Sequence, residues 1–311
     1  MRKILITGGA GFIGSALADK LIADPDNYVV VVDNYLTGKT TNLDRFKGVN
    51  AKFIKCDVNS FRDISQVMIA YSFDYVFHYA AVVGVQRTLR NPVMVLQDID
   101  GIKNILELSK NTGVRRVFFS SSSEVYGEPV ELPQNETTTP LNSRLPYAVV
   151  KNVGESFCRS FQQEFGLNFT IFRFFNTYGP RQSTDFVMSR FIRSALANKP
   201  ITIYGDGSQT RTFCYIDDNI DATTNAFYKE RFVNDVVNIG NDIEVSIKEL
   251  AEQVIALTNS QSKIRFVSAL KEGDMRRRMP DISKMHSLLD RPLLPLEKGI
   301  MRVIQEGNFV Q

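Results

Sequence analysis

Short apolar runs recur through the first half of the chain, at 3–6, 29–32, 52–56, 75–78, 116–120 and 169–174. Between them lie amphipathic stretches at helical spacing, among them 95–111 and 150–165. Alternating strand and helix predicts an α/β fold built on a doubly wound parallel sheet. The texture changes after residue 176. Loops there carry Gly, Pro and Arg: Y-G-P-R at 178–181, Y-G-D-G-S-Q-T-R at 204–211, N-I-G-N at 238–241 and E-G-D-M-R-R-R-M-P-D-I-S-K at 272–284. This predicts a smaller, loop-rich C-terminal lobe over the mouth of the sheet, with 216–228 and 236–239 returning to the first domain as helix and strand. The expected division is 1–175 plus 214–241 for the sheet domain, and 176–213 plus 242–311 for the lobe. No internal repeat, low-complexity segment or flexible linker interrupts it.

Composition narrows the class. The chain has 311 residues, 43% hydrophobic and 23% charged, which is ordinary for a water-soluble globular protein. A net charge of +3 argues against a nucleic-acid partner, although a local basic cluster can still serve an anionic substrate. The chain begins directly with a strand, so no signal peptide is expected, and no apolar run approaches the ~20 residues of a membrane span. Cys56, Cys158 and Cys214 have no C-x-x-C or metal spacing, which reads as free thiols in a reducing cytoplasm. With two histidines, His78 and His286, no metal site is expected.

Residues 7–14 read T-G-G-A-G-F-I-G between the first strand and a helical pattern. Glycines in such a turn permit positive φ and close approach of a ligand, and the helix N-terminus presents free N–H groups to a pyrophosphate. Asp33 ends the second strand about 20 residues later, where a carboxylate accepts both ribose hydroxyls and repels a 2′-phosphate. The expected cofactor is therefore NAD, not NADP. Its expected contacts are Gly8, Gly11, Phe12, Ile13 and Gly14, then Asp33 and Asn34, with Asp57 and Val58 after the third strand and Ala80 and Ala81 after the fourth.

Tyr147 and Lys151 form Y-x-x-x-K, which places both side chains on one helix face. A tyrosine with an ordinary pKa near 10 is a poor base at neutral pH, and a neighbouring Lys and a nicotinamide cation would both favour the phenolate. Ser122, in the serine run 120–123 beyond the fifth strand, can hydrogen-bond the same substrate oxygen.

With these motifs the chain resembles an extended short-chain dehydrogenase/reductase of the nucleotide-sugar epimerase/dehydratase/decarboxylase type, over nearly its whole length. The resemblance rests on T-G-G-A-G-F-I-G, H-Y-A-A at 78–81, S-S-S-S-E-V-Y-G at 120–127, P-Y-A-V-V-K at 146–151, R-F-F-N-T-Y-G-P-R at 173–181 and Y-G-D-G-S-Q-T-R-T-F at 204–213. It implies a Rossmann-type sheet with a substrate lobe, catalytic Ser122, Tyr147 and Lys151, and cofactor contacts from the last two. It further implies that Asn176, Arg181, Tyr204, Arg211 and Arg276 lie near the nucleotide diphosphate, where an arginine fork suits phosphate oxygens. A homodimer packing the helices around 95–111 and 150–165 is implied as well.

The family's shared chemistry oxidises the sugar at C4, after which subfamilies diverge. Glu124 resembles the acid that dehydratases and decarboxylases use near C5 and C6, whereas Ser123 replaces the Asp typical of dTDP-glucose dehydratases. Arg278 matches an arginine that UDP-glucuronate decarboxylases place beside the sugar carboxylate. UDP-glucuronate decarboxylation is therefore the leading expectation for a UDP-hexose or UDP-hexuronate substrate. UDP-sugar 4-epimerisation is the runner-up, nucleotide-sugar dehydration a further enzymatic alternative, and an NAD-binding sensor or scaffold the non-enzymatic one. Three departures stand out: Asp98 where the family usually has Asn, 289–292 in place of G-W-x-P, and no C-Y-D-E-G-K before Lys151.

Overall fold

The protein is described by a computed structural model that covers residues 1–43, 46, 48–269 and 275–307. Residues 272–274 of the predicted arginine-rich loop lie outside the described residues. Seven strands make the central sheet: β1 (Arg2–Thr7), β2 (Asn27–Asp33), β3 (Ala51–Lys55), β4 (Tyr75–His78), β5 (Arg116–Ser122), β6 (Asn168–Phe174) and β7 (Asp235–Ile239). Their spatial order is β7-β6-β5-β4-β1-β2-β3, and every neighbouring pair is parallel. The chain winds outward from β1 to β3, then crosses back to β4 on the other side of β1. That reversal opens a crevice at the carboxyl ends of β1 and β4.

Five helices cover the two faces: α1 (Phe12–Ile22), α2 (Phe61–Tyr71), α3 (Asp98–Thr112), α4 (Pro146–Phe165) and α5 (Ile216–Tyr228). The period of two along the strands sorts the core. Ile4, Ile6, Val29, Val31, Phe77, Phe118 and Phe172 face α1 and α5, against Leu17, Leu21, Ile220 and Phe227. Leu5, Val30, Val32, Val76, Phe119 and Ile171 face the other way, against Ile64, Met68, Ile102, Ile105, Cys158 and Phe161. Each such side chain contributes about 1.5–3 kcal/mol on burial. The rings of Phe77 and Phe118 stack at 4.3 Å between centroids, which fixes the register of β4 on β5.

Local chemistry sets the helix ends. The Ser60 hydroxyl accepts from the Asp63 N–H to start α2, and Gly113 and Gly166, at φ +77° and +72°, end α3 and α4. The helix predicted at 95–111 is two pieces, Pro92–Leu96 and α3. A tight bond from Asp100 N–H to Gln97 O (3.0 Å) replaces the regular ladder at the joint. The helix predicted from 150 starts at Pro146, whose missing N–H is harmless in a first turn, and so takes in Tyr147.

Short pairings carry the C-terminal segments: Thr210–Thr212 with Glu244–Ser246, Ile201–Tyr204 with Ile264–Val267, and Thr177–Tyr178 with Cys214–Tyr215. Phe191, Leu250 and Ile300 of these segments join the same apolar cluster as Ile4 and Phe77. Among the described residues no helix is long and apolar enough to cross a membrane, and no group of His, Cys, Asp or Glu is placed to hold a metal.

Candidate active site

A cleft of about 470 Å³ follows the carboxyl ends of β1, β2, β4 and β5. Its walls include all eleven residues expected from sequence to touch the dinucleotide alone: Gly8, Gly11, Phe12, Ile13, Gly14, Asp33, Asn34, Asp57, Val58, Ala80 and Ala81. Gly8 has φ +69°, and a Cβ there would lie 2.7 Å from the Ala80 backbone. A Cβ on Gly14 would collide with the Gly8 carbonyl, so this glycine lets α1 pack onto the turn. Gly11 differs: a Cβ there would meet nothing within 4 Å except Gly8 O at 3.0 Å, leaving its face open to the cleft. It is also the N-cap of α1 and gives no side-chain cap, so the first-turn N–H groups keep their capacity for an anion.

Asp33 lies at the far end of this cradle. Its carboxylate accepts from Ala10 N–H (3.0 Å) and Tyr35 N–H (2.7 Å). Burial pushes its pKa up, and these two bonds oppose that shift. The cations lining the cleft, Lys151 and Arg278, lie toward β5, which is three strand spacings or roughly 14 Å from β2. Among the described residues no lining cation stands beside this acid, which fits a ribose with a free 2′-hydroxyl, so the residues present suit NAD.

The strand ends are tied together beneath the cleft. Thr7 Oγ1 accepts from Tyr79 and Ala80 N–H, both at 3.1 Å, so its own proton is left for His78 Nδ1 at 2.8 Å. That pattern assigns a neutral His78 with its proton on Nε2, and burial lowers its pKa to about 3.

At the β5 end the expected catalytic residues converge. Ser122, Glu124, Tyr147, Lys151 and Arg278 all line the cleft. The Ser122 hydroxyl accepts from Glu124 N–H at 3.2 Å and lies near enough to the Tyr147 phenol to favour its ionised form. Lys151 is buried, with Nζ 5.8 Å from the Tyr147 ring centre and 3.4 Å from Ser120 Oγ. Burial lowers its pKa to about 8, against the opposing charge of Asp98. Asp98, at the start of α3, accepts from Val82 N–H (2.7 Å) and so faces the lysine from the cleft wall.

Burial is the largest influence on Tyr147 and pushes its pKa up, the Glu124 carboxylate pushes the same way, and Ser122 and Arg278 oppose the shift.

Arg278 is about 6% exposed. Its Nη1 lies 3.7 Å from Glu124 Oε1 and 3.5 Å from Ser123 Oγ, while Nε donates to Met275 Sδ at 3.2 Å. A guanidinium and a carboxylate from distant parts of the sequence thus face one another beside Tyr147.

The expected diphosphate contacts divide. Asn176 lines the cleft and donates to Thr212 O at 3.0 Å. Tyr204, Arg211 and Arg276 are not cleft-lining; they sit together on adjoining segments, with Thr210 N–H bonded to Arg276 O (3.0 Å) and Gln209 Nε2 to Tyr204 O (3.0 Å). Arg211 is buried and donates to Thr210 O at 2.7 Å, whereas Arg276 is exposed. Arg181 is elsewhere: it pairs with Asp19 (2.5 Å) and Ser15 (3.0 Å) on α1, facing a second cavity across that helix. Its charge is met by α1 and is turned from the cleft. Gln97, Met94 and Phe186 also line the cleft, and no motif marks them.

Residues 4–240 match the model of the NAD-dependent epimerase/dehydratase family. The chain is 36% identical to UDP-glucuronic acid decarboxylase 1 of Danio rerio, across 98% of this chain and 72% of that protein. Its fold superposes on the UDP-glucose 4-epimerase of Thermotoga maritima with a TM-score of 0.92 at 33% identity, covering 98% of both chains. It superposes on the UDP-glucuronic acid 4-epimerase of Bacillus cereus, solved with UDP-glucuronic acid and NAD, with a TM-score of 0.90 at 31% identity and the same coverage. Glycine turn, ribose acid and the Ser–Tyr–Lys cluster agree with these likenesses: the chain belongs to the NAD-dependent epimerase/dehydratase family and is an NAD-dependent nucleotide-sugar enzyme.

Proposed function

We propose that the enzyme decarboxylates a UDP-linked hexuronate of the UDP-glucuronate kind by way of a transient 4-ketone. The observation that carries this reading is the Glu124–Arg278 pair at 3.7 Å on the wall that also holds Ser122 and Tyr147. In this reading residues 1–175 with 214–241 hold the dinucleotide, and 176–213 with 242–311 hold the nucleotide sugar. Tyr204, Arg211 and Arg276 are read as contacts to its nucleotide or diphosphate. The protein is read as a cytoplasmic homodimer through α3 and α4.

Bound NAD supplies the acceptor for the C4 hydride and can return it. Tyr147 takes the proton of the C4 hydroxyl, with Ser122 donating a hydrogen bond to the oxygen that becomes the ketone. Lys151, about 8 in pKa beside Asp98, holds positive charge near the phenol. Once C4 is a ketone, the C6 carboxylate belongs to a β-keto acid. Arg278 exchanges its contact with Glu124 for that carboxylate and orients it. The C5–C6 bond then breaks, carbon dioxide leaves, and the electron pair passes into the C4–C5 enolate. Glu124, which takes up a proton from water once Arg278 has turned to the substrate, passes that proton to C5.

A second reading, 4-epimerisation, is favoured by the P-Y-A-V-V-K context of Lys151 and by the same clamp, since an arginine can hold a carboxylate without its leaving. The test is to incubate the protein with UDP-glucuronate, UDP-glucose and UDP-N-acetylglucosamine, follow each sugar by proton NMR, and measure the molar mass by light scattering. The expected result is carbon dioxide with a pentose-type product from UDP-glucuronate only, and a dimer mass. Inversion at C4 with six carbons kept, or loss of water, rejects decarboxylation; a monomer mass rejects the dimer.

A further inference from the structure

Behind the cleft wall runs a buried polar chain that the reaction does not use directly. Arg173 of β6 grips Glu155 of α4 with two bonds, Nε to Oε1 at 2.8 Å and Nη2 to Oε2 at 2.7 Å. Glu155 Oε1 also accepts from Ser121 Oγ at 2.6 Å. On its other side Arg173 Nη1 donates to the Tyr126 hydroxyl (2.8 Å), which donates to Asn238 Oδ1 on β7 (2.8 Å). Asn238 Nδ2 continues to the carbonyls of Gln134 (2.9 Å) and Asp281 (3.2 Å). Glu155, Arg173 and Tyr126 are each about 1% exposed and Asn238 is fully buried.

Each stretch of this chain borders a residue assigned to the reaction. Ser121 precedes Ser122. Glu155 lies one helical turn past Lys151 and two past Tyr147. Tyr126 closes the short turn Ser123–Tyr126 that carries Glu124. Gln134 bonds Met279 O through its N–H (2.7 Å) and Asp281 N–H through its carbonyl (2.8 Å), just beyond Arg278. A buried ion pair is weak support for stability, because apolar side chains of similar volume do as well or better. What it supplies is direction, each bond fixing its neighbour's orientation.

We propose that Glu155, Arg173, Tyr126 and Asn238 are positioning residues that lock two half-sites together: Ser122, Tyr147 and Lys151 for C4 oxidation, and Glu124 with Arg278 for the step that follows. The Arg173–Tyr126 bond is the joint between the halves. This inference rests on the reading of Glu124 and Arg278 under Proposed function.

The test compares Tyr126→Phe and Glu155→Gln with wild type, each as NAD-loaded enzyme given UDP-glucuronate. Reduced-nicotinamide absorbance reports C4 oxidation, and carbon dioxide release reports the second step. Tyr126→Phe is expected to oxidise C4 within about twofold of wild type yet release carbon dioxide about tenfold more slowly or worse at unchanged KM, since a ~1 Å misplacement can cost on the order of 100-fold. Reduced nicotinamide should accumulate in this variant. Glu155→Gln should slow C4 oxidation as well, by about tenfold or more. Tyr126→Phe leaving both steps alone, or slowing both by one factor, overturns the proposal. If Glu155→Gln fails to fold, Tyr126→Phe, which removes one hydroxyl, decides by itself. A wild type that inverts C4 without releasing carbon dioxide rejects the decarboxylase reading alone. The network then stands if Glu155→Gln slows C4 oxidation while Tyr126→Phe spares it, and falls if the two behave alike.

Discussion

Tyr147→Phe is expected to lower sugar turnover by about 10²–10⁴-fold while NAD binding stays within a few-fold. The phenol lies near Ser122 and Lys151, so removing its oxygen deletes the proton acceptor without opening a cavity. The cofactor cradle lies mainly on other elements: the glycine turn after β1, Asp33 after β2 and Ala80 after β4. The loss should therefore appear in kcat and spare cofactor affinity. Burial and the Glu124 charge raise the pKa of this phenol, and a nearby positive charge would favour its ionised form. Measuring kcat together with NAD affinity by calorimetry checks both halves. Equal turnover in variant and wild type would remove Tyr147 from the chemistry.

Arg173→Met should destabilise the fold by about 3–5 kcal/mol, because it strands the Glu155 carboxylate, about 1% exposed, without its bidentate partner. For a chain of this size that corresponds to a fall on the order of 10 °C in the unfolding midpoint. The Tyr126 hydroxyl and Ser121 would keep their other partners, which limits the damage to the pair itself. Adding Glu155→Leu to Arg173→Met should recover part of the loss, since two apolar side chains leave no uncompensated charge. Thermal unfolding of the single and double variants decides. A single variant within about 1 kcal/mol of wild type would show that the pair carries little of the local structure.

The sheet was legible because its strands are short apolar runs separated by helical stretches, and the crevice because glycines and an acid fall at the strand ends. Ser122, Glu124, Tyr147 and Lys151 come from segments close in sequence, and the strand, turn and helix that carry them bring them together. Long-range pairing was not legible. Nothing near Arg181 indicates that Asp19, 162 residues earlier, takes its charge. Glu155 sits in an amphipathic helix where a carboxylate ordinarily points to water, and only the fold shows that Arg173 waits behind it. The break at Gln97 also escaped the periodicity, because the tight bond at the joint keeps the apolar positions almost in phase. The raised pKa of Tyr147 depends on burial and on the neighbouring Glu124, neither of which a Y-x-x-x-K spacing contains.

The most direct test of the central claim uses UDP-glucuronate deuterated at C4, incubated with NAD-loaded enzyme and quenched during turnover. The account predicts reduced nicotinamide that carries the deuterium, together with carbon dioxide release from the same sample. Carbon dioxide or any altered sugar formed while the deuterium never leaves C4, with no labelled nicotinamide, would contradict it.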